Sequence, residues 1–134
     1  MTTRNTIQEI HSLLAEADVL YFRLGGLLAR LRHNRRDQGL RFDRDYVKDE
    51  FGLGYGSAMY LVRIYERFSA AGIGERRLHG LEWSKAKEIA RLEPPKLRVH
   101  FDRLYDRARR ETRQTLIEHI QKTFVVDRRG VTTG

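Results

Sequence analysis

The chain has 134 residues, with 26 Lys and Arg against 18 Asp and Glu, a net charge of +8 and a pI near 10.2. This is one domain's worth of sequence, 40% hydrophobic, and a 33% charged fraction with mean hydropathy −0.60 leaves no apolar run long enough to cross a bilayer. There is no cysteine, which excludes disulfides, thiolate metal sites and cysteine nucleophiles; the first 25 residues lack a signal-peptide layout, so the expected compartment is the cytoplasm.

Thr6 followed by Glu9 fits a capping box, so a helix is expected over residues 6–33. Ile10, Leu13, Ala17, Leu20, Leu24, Leu27 and Leu31 recur at alternating spacings of 3 and 4, the strongest periodic signal in the chain. The stripe is wider than a coiled-coil seam, because Leu14, Tyr21 and Leu28 flank it, and reads as intramolecular core that leaves room for a homodimer seam. Gly25-Gly26 interrupts this helix at a propensity cost of about 1 kcal/mol each, which predicts either a closely packed second backbone or a kink.

A polar loop is expected over 34–42. Asp43 then caps a short helix ending at Phe51, with Phe42 and Val47 placed as a hydrophobic staple and Val47 and Phe51 facing inward. Gly52 stops that helix, and a second begins near Gly54 or Tyr55 and runs to Phe68, burying Ala58, Leu61, Val62 and Tyr65. A glycine-punctuated connector follows, with one helical turn at Glu75–Leu78. Ser84 is the expected N-cap of a support helix over 84–92, Trp83 staples that helix to the bundle, and Pro94-Pro95 end it. Residues 96–124 form a basic helical region with stripes at Leu97, Phe101, Leu104, Ala108 and at Leu116, Ile117, Ile120, Phe124. A break is expected between Arg109 and Gln114, and 125–134 is expected to be a flexible tail. The predicted fold is a single all-α domain over 1–124, a bundle of five or six helices.

Residues 42–68 carry the most information. A short capped helix, a glycine turn and a second apolar-faced helix is the layout of a helix-turn-helix, in which the first helix braces the second so that its N-terminal turn enters a major groove. On that alignment Tyr55, Gly56, Ser57, Met59, Tyr60 and Arg63 lie on or near the outer face: hydroxyls and guanidinium can bond base edges or phosphate, and glycines let backbone amides approach a phosphate. Phosphate contacts are assigned to Arg35, Arg36 and Arg41 in the loop and to Arg107, Arg109, Arg110 and Arg113 beyond the prolines. The charge is unevenly spread. Segments 1–33, 34–70 and 71–95 are +1 each and 96–134 is +5, so the basic C-terminal region would hold phosphates while a nearly neutral helix selects the site.

The run FGLGYGSAMYLVRIYERF, followed after a connector by LEWSKAKEIARL, resembles the helix-turn-helix region of the ParB and KorB family of plasmid and phage DNA-binding proteins, over about Phe42 to Leu92. Ser84, Ala86, Ile89 and Leu92 match that family's second, supporting element. The resemblance implies binding of double-stranded DNA as a homodimer, in a transcriptional regulator or a plasmid or phage maintenance factor.

No enzyme, cofactor or metal is expected. Gly52 to Gly56 is not preceded by a strand or followed by Lys-Ser or Lys-Thr, the five histidines have no ligand spacing, and no nucleophile, base and orienter assemble. The alternative is a helical protein-interaction module, a phage-encoded adaptor or inhibitor docking through its basic C-terminal helix; RNA is a third ligand to test.

Overall fold

A computed structural model describes residues 3–124, so the expected tail at 125–134 lies outside the described residues. Among those described, 80% are helical and none is in a strand, which is the expected all-α class. There are seven helices: α1 (Thr3–Asp37), α2 (Arg44–Phe51), α3 (Tyr55–Ala70), α4 (Glu75–Leu78), α5 (Trp83–Ile89), α6 (Pro94–Arg110) and α7 (Arg113–Thr123).

The first helix is longer than its sequence signals. It starts at Thr3, so Thr6 and Glu9 lie inside its opening turns instead of capping them. At the other end it absorbs Arg35 and Arg36, cations that complement the helix dipole, and closes when the Leu40 amide bonds the Arg35 carbonyl at 2.8 Å around Gly39 in the left-handed region. Arg35 and Arg36 are therefore helical, and the loop is confined to the residues after Asp37. Gly25-Gly26 causes no break. A Cβ on Gly25 would collide with the Leu61 carbonyl oxygen, and one on Gly26 would come within 2.7 Å of the Tyr65 ring, so the glycines let α1 and α3 cross at close range.

The leucine stripe faces outward. The residues of α1 that are buried are Val19, Phe22, Gly25 and Leu28, whereas Ile10, Leu13, Leu20, Leu24 and Leu27 are 37–58% exposed, with Leu14 and Tyr21 also exposed beside them. The expectation that this stripe forms intramolecular core is thus corrected: the body of the protein takes the opposite face.

Two apolar clusters make the core. The smaller joins Leu28, Phe42, Val47, Ala58 and Val62, and holds α2 against α1 and α3. Phe42 and Val47 share it, as a staple would, but Phe51 is 43% exposed and only edges against the Tyr46 ring. The larger is built on Phe68, Phe101, Leu104, Leu116 and Ile120, with Ile64 and Ile89, and the rings of Phe68 and Phe101 meet edge to face at 6.0 Å. In α3 the buried positions are Ala58, Val62, Ile64 and Phe68; Leu61 and Tyr65 are half-buried against α1.

The support helix begins one residue early, at Trp83, without a side-chain cap. Its opening amide donates to the Asp18 carboxylate at 3.0 Å and the indole stacks on Tyr21 at 5.5 Å. The two prolines start α6 instead of merely ending α5: at the first two helical positions their missing amides lose no bond. The predicted break falls at Glu111 and Thr112, where the Thr112 hydroxyl accepts from the Thr115 amide and caps α7. Buried Lys85 sits under this elbow and donates to the carbonyls of Ala108 at 2.7 Å and Glu111 at 2.6 Å, two acceptors that the end of α6 leaves without helical donors.

Candidate nucleic-acid interface

Asp43 starts α2 in extended geometry, its carboxylate accepting from the Tyr46 amide at 2.9 Å, and Gly52 ends it at φ 70°, where a side chain would be strained. Leu53 and Gly54 complete a three-residue turn into α3. Gly54 supplies no side-chain cap, so the first amides of α3 are left without a side-chain acceptor at an electropositive helix end.

The predicted contact residues of α3 divide by face. Gly56, Ser57 and Arg63 are exposed. Tyr55 and Met59 turn toward the smaller core cluster and Tyr60 packs against the larger, each keeping partial exposure. Burial raises the Tyr60 phenol above its ordinary ionisation range, and the Glu88 carboxylate raises it further, against the opposing pull of Arg91, Arg63 and Arg113. Three arginines from three elements thus converge on one tyrosine: Arg63 on α3, Arg91 just after α5 and Arg113 at the first position of α7.

Glu88 organises this group. It is 6% exposed and accepts from the largely buried Arg91 at 3.1 Å and from the exposed Arg113 at 3.0 Å, and so holds the Arg113 guanidinium in place at the surface. Arg67, a turn beyond Arg63, donates to the Leu92 carbonyl at 3.0 Å and ties α3 to the end of the support segment. Arg91 and Glu88 were not singled out in the sequence. Nothing local distinguishes them, and the only signal is that Arg91 and Glu88 flank the buried Ile89 on a short helix and its exit.

The other predicted phosphate ligands fall into two groups. At the α1 end, the Arg35 guanidinium lies 3.7 Å from the centre of the Tyr46 ring and donates to the Arg41 carbonyl at 2.7 Å, which clamps the loop onto α2; Arg41 is exposed 3.5 Å from Asp43, and Arg36 is exposed. At the α6 end, Arg107 and Arg110 line a cleft of about 230 Å³ with His100, Arg103 and His119, Arg107 also pairing with Glu111 at 2.7 Å; Arg109 reaches over the Tyr105 ring. Of this set, Arg113 alone is brought to Tyr60. Asp45, Asp49 and Glu50 are exposed on α2, which makes that face acidic.

Among the described residues no cluster of His, Asp or Glu could hold a metal, and no helix is long and apolar enough to cross a membrane. Neither a protein-family model, nor a curated protein, nor a solved structure matches the chain.

Proposed function

We propose that the chain is a non-enzymatic double-stranded DNA-binding protein, a transcriptional regulator or plasmid or phage maintenance factor that presents the N-terminal half of α3 to a groove. The observation that carries the reading is the first turn of α3, exposed at Gly56 and Ser57 and without a side-chain cap, with the exposed Arg63 on the same helix and the exposed Arg113 held by Glu88. Uncapped amides and a small-residue turn accept a phosphate at short range. Arg113, exposed and fixed by Glu88, loses little further rotamer freedom on meeting the backbone of a duplex, while Ser57, Tyr60 and Arg63 can reach base edges.

The test is a fluorescence-anisotropy titration with duplex DNA at two salt concentrations. Binding should weaken steeply with salt, and Arg63→Ala combined with Tyr60→Phe, which keeps the packed ring, should weaken it at least tenfold without lowering the melting temperature. Unchanged affinity in that variant removes α3 as the reading element. Absence of binding even at low salt favours the protein-interaction module, a reading that the exposed apolar face of α1 would support. Preference for structured RNA in competition would reassign the ligand.

A further inference from the structure

We infer that α1 is a self-association surface, pairing with α1 of a second copy of this chain as an antiparallel two-helix coiled coil centred between Asp18 and Val19. The seam is Ile10, Leu13, Ala17, Leu20, Leu24 and Leu27, an unbroken alternation of 3 and 4 that is the period of a coiled coil, and all six are exposed. Val19, Phe22 and Gly25 lie on the face that the body of the protein covers; on the Leu14 flank of the seam Tyr21 stacks on Trp83 and Leu28 is buried, so a second helix reaches the seam from the flank of Glu9, Glu16, Arg23 and Arg30. Eight large apolar residues of this helix are 37–58% exposed, an apolar face of the kind that marks an interaction surface.

Charge selects both the partner and its direction. The positions flanking the seam on one side are Glu9, Glu16, Arg23 and Arg30, one per heptad, acidic in the first half and basic in the second. In an antiparallel pair these positions face their own kind across the two-fold axis. The register that sets Ile10 against Leu27, Leu13 against Leu24 and Ala17 against Leu20 also sets Glu9 against Arg30 and Glu16 against Arg23, four attractive pairs. A slip of one heptad toward the N-terminus puts Glu16 against Glu16, and one toward the C-terminus puts Arg23 against Arg23. On the other flank Leu14 meets Tyr21. A parallel pair offers these charges only Leu14, Tyr21 and Leu28. Arg23 already pairs with Glu75 in its own chain, so Glu16 would join an existing ion pair, and the Glu9 and Arg30 pairing carries the cleaner test.

The spacing of two α3 helices follows, and this part alone rests on the DNA-binding reading. Helix packing distances of about 8–10 Å, applied from α3 to α1, across the seam and out again, separate them by roughly 26 Å. Gly25, where α3 crosses, lies 6.5 residues from the two-fold axis, which offsets the two crossings by roughly 20 Å along α1, at right angles to the first distance. The two α3 helices are then roughly 33 Å apart, close to the about 34 Å between successive half-sites on one face of B-DNA.

Sedimentation equilibrium of the full chain without DNA is expected to give a dimer, and Leu20→Glu a monomer with unchanged helical content. Glu9→Arg and Arg30→Glu should each weaken association roughly tenfold by setting like charges opposite one another. Mixed in equal amounts they should form heterodimers with wild-type affinity, because every flanking pair is again attractive. A chain that stays monomeric to roughly 100 μM, a dimer indifferent to Leu20→Glu, or charge-swapped variants that fail to recover on mixing would each overturn the inference. A dimer with the expected mutational behaviour but no affinity for DNA leaves it standing and removes the DNA-binding reading instead.

Discussion

The same substitution, glycine to alanine, should have opposite effects at two helical positions. In an exposed helix interior the change relieves backbone entropy and raises stability by about 0.5–1 kcal/mol. Gly56 fits that case, since it is exposed on α3 and an added Cβ meets nothing within 4 Å. At Gly25 the same propensity gain is available, but the methyl would overlap a backbone carbonyl, that of Leu61, and would lie 3.1 Å from the Tyr65 Cβ. A carbonyl inside a helix cannot swing aside as a side-chain tip can, so α1 and α3 must separate. Overpacking of this kind costs about 1–3 kcal/mol, and the loosened contact along the Phe22 and Tyr65 rings, now 4.9 Å apart, adds to it. Gly25→Ala should therefore be less stable by about 1–2 kcal/mol after the propensity gain is subtracted, a fall of roughly 4–8 °C in Tm for a domain of this size. Gly56→Ala should melt roughly 2–4 °C higher. Urea and thermal melts followed by circular dichroism, both variants beside the wild type, provide the measurement. A Gly25→Ala protein as stable as the wild type would refute the close crossing of α1 and α3, and with it the placement of the two-fold axis relative to α3.

Lys85→Ala should lower stability by about 2–3 kcal/mol, because the carbonyls of Ala108 and Glu111 lose a charged donor beneath the α6–α7 elbow; Lys85→Arg should recover only part, since a planar guanidinium does not match a site built around a point charge, and chemical denaturation reads both. For His119, burial and then the nearby Arg107 depress the imidazole below its ordinary value of 6.5. The unfolded chain then binds its proton first, so this residue's contribution to stability is complete above about pH 6.5 and is lost as pH falls through its folded value; His119→Gln should flatten the Tm profile on the acid side of 6.5 and leave the alkaline side unchanged.

What could be read in advance was what depends on neighbours in the chain. Asp43 and Gly52 act through amides and carbonyls within a few residues, so that cap and that turn follow from local chemistry, and the break before α7 from the lack of apolar residues between Arg109 and Gln114; Thr6 with Glu9, and Ser84, are equally local signals, but packing starts their helices earlier, at Thr3 and Trp83. Gly25-Gly26 announced a close approach without naming Leu61 and Tyr65 as what approaches. Pro94-Pro95 closes one helix and opens the next equally well, and only the whole arrangement shows that it does the second. The leucine stripe of α1 illustrates a deeper limit. Period and hydrophobicity say that a face seeks a partner, not whether the partner belongs to the same chain. The grouping around Tyr60 was out of reach for another reason: Arg63, Glu88 and Arg113 are separated by 25 positions at each step, and their convergence is a product of packing among α3, α5 and α7.

From Thr3 to Leu14 every residue of α1 is exposed, and the helix is buried first at Val19. A segment of that length is marginal as a helix in water when nothing docks along it. Its amide protons should accordingly exchange with solvent far faster than those between Val19 and Leu28, and the ratio should depend on protein concentration. On the inferred pairing, the opening turns of α1 act as a reporter that is ordered in proportion to how much of the chain has found its second copy.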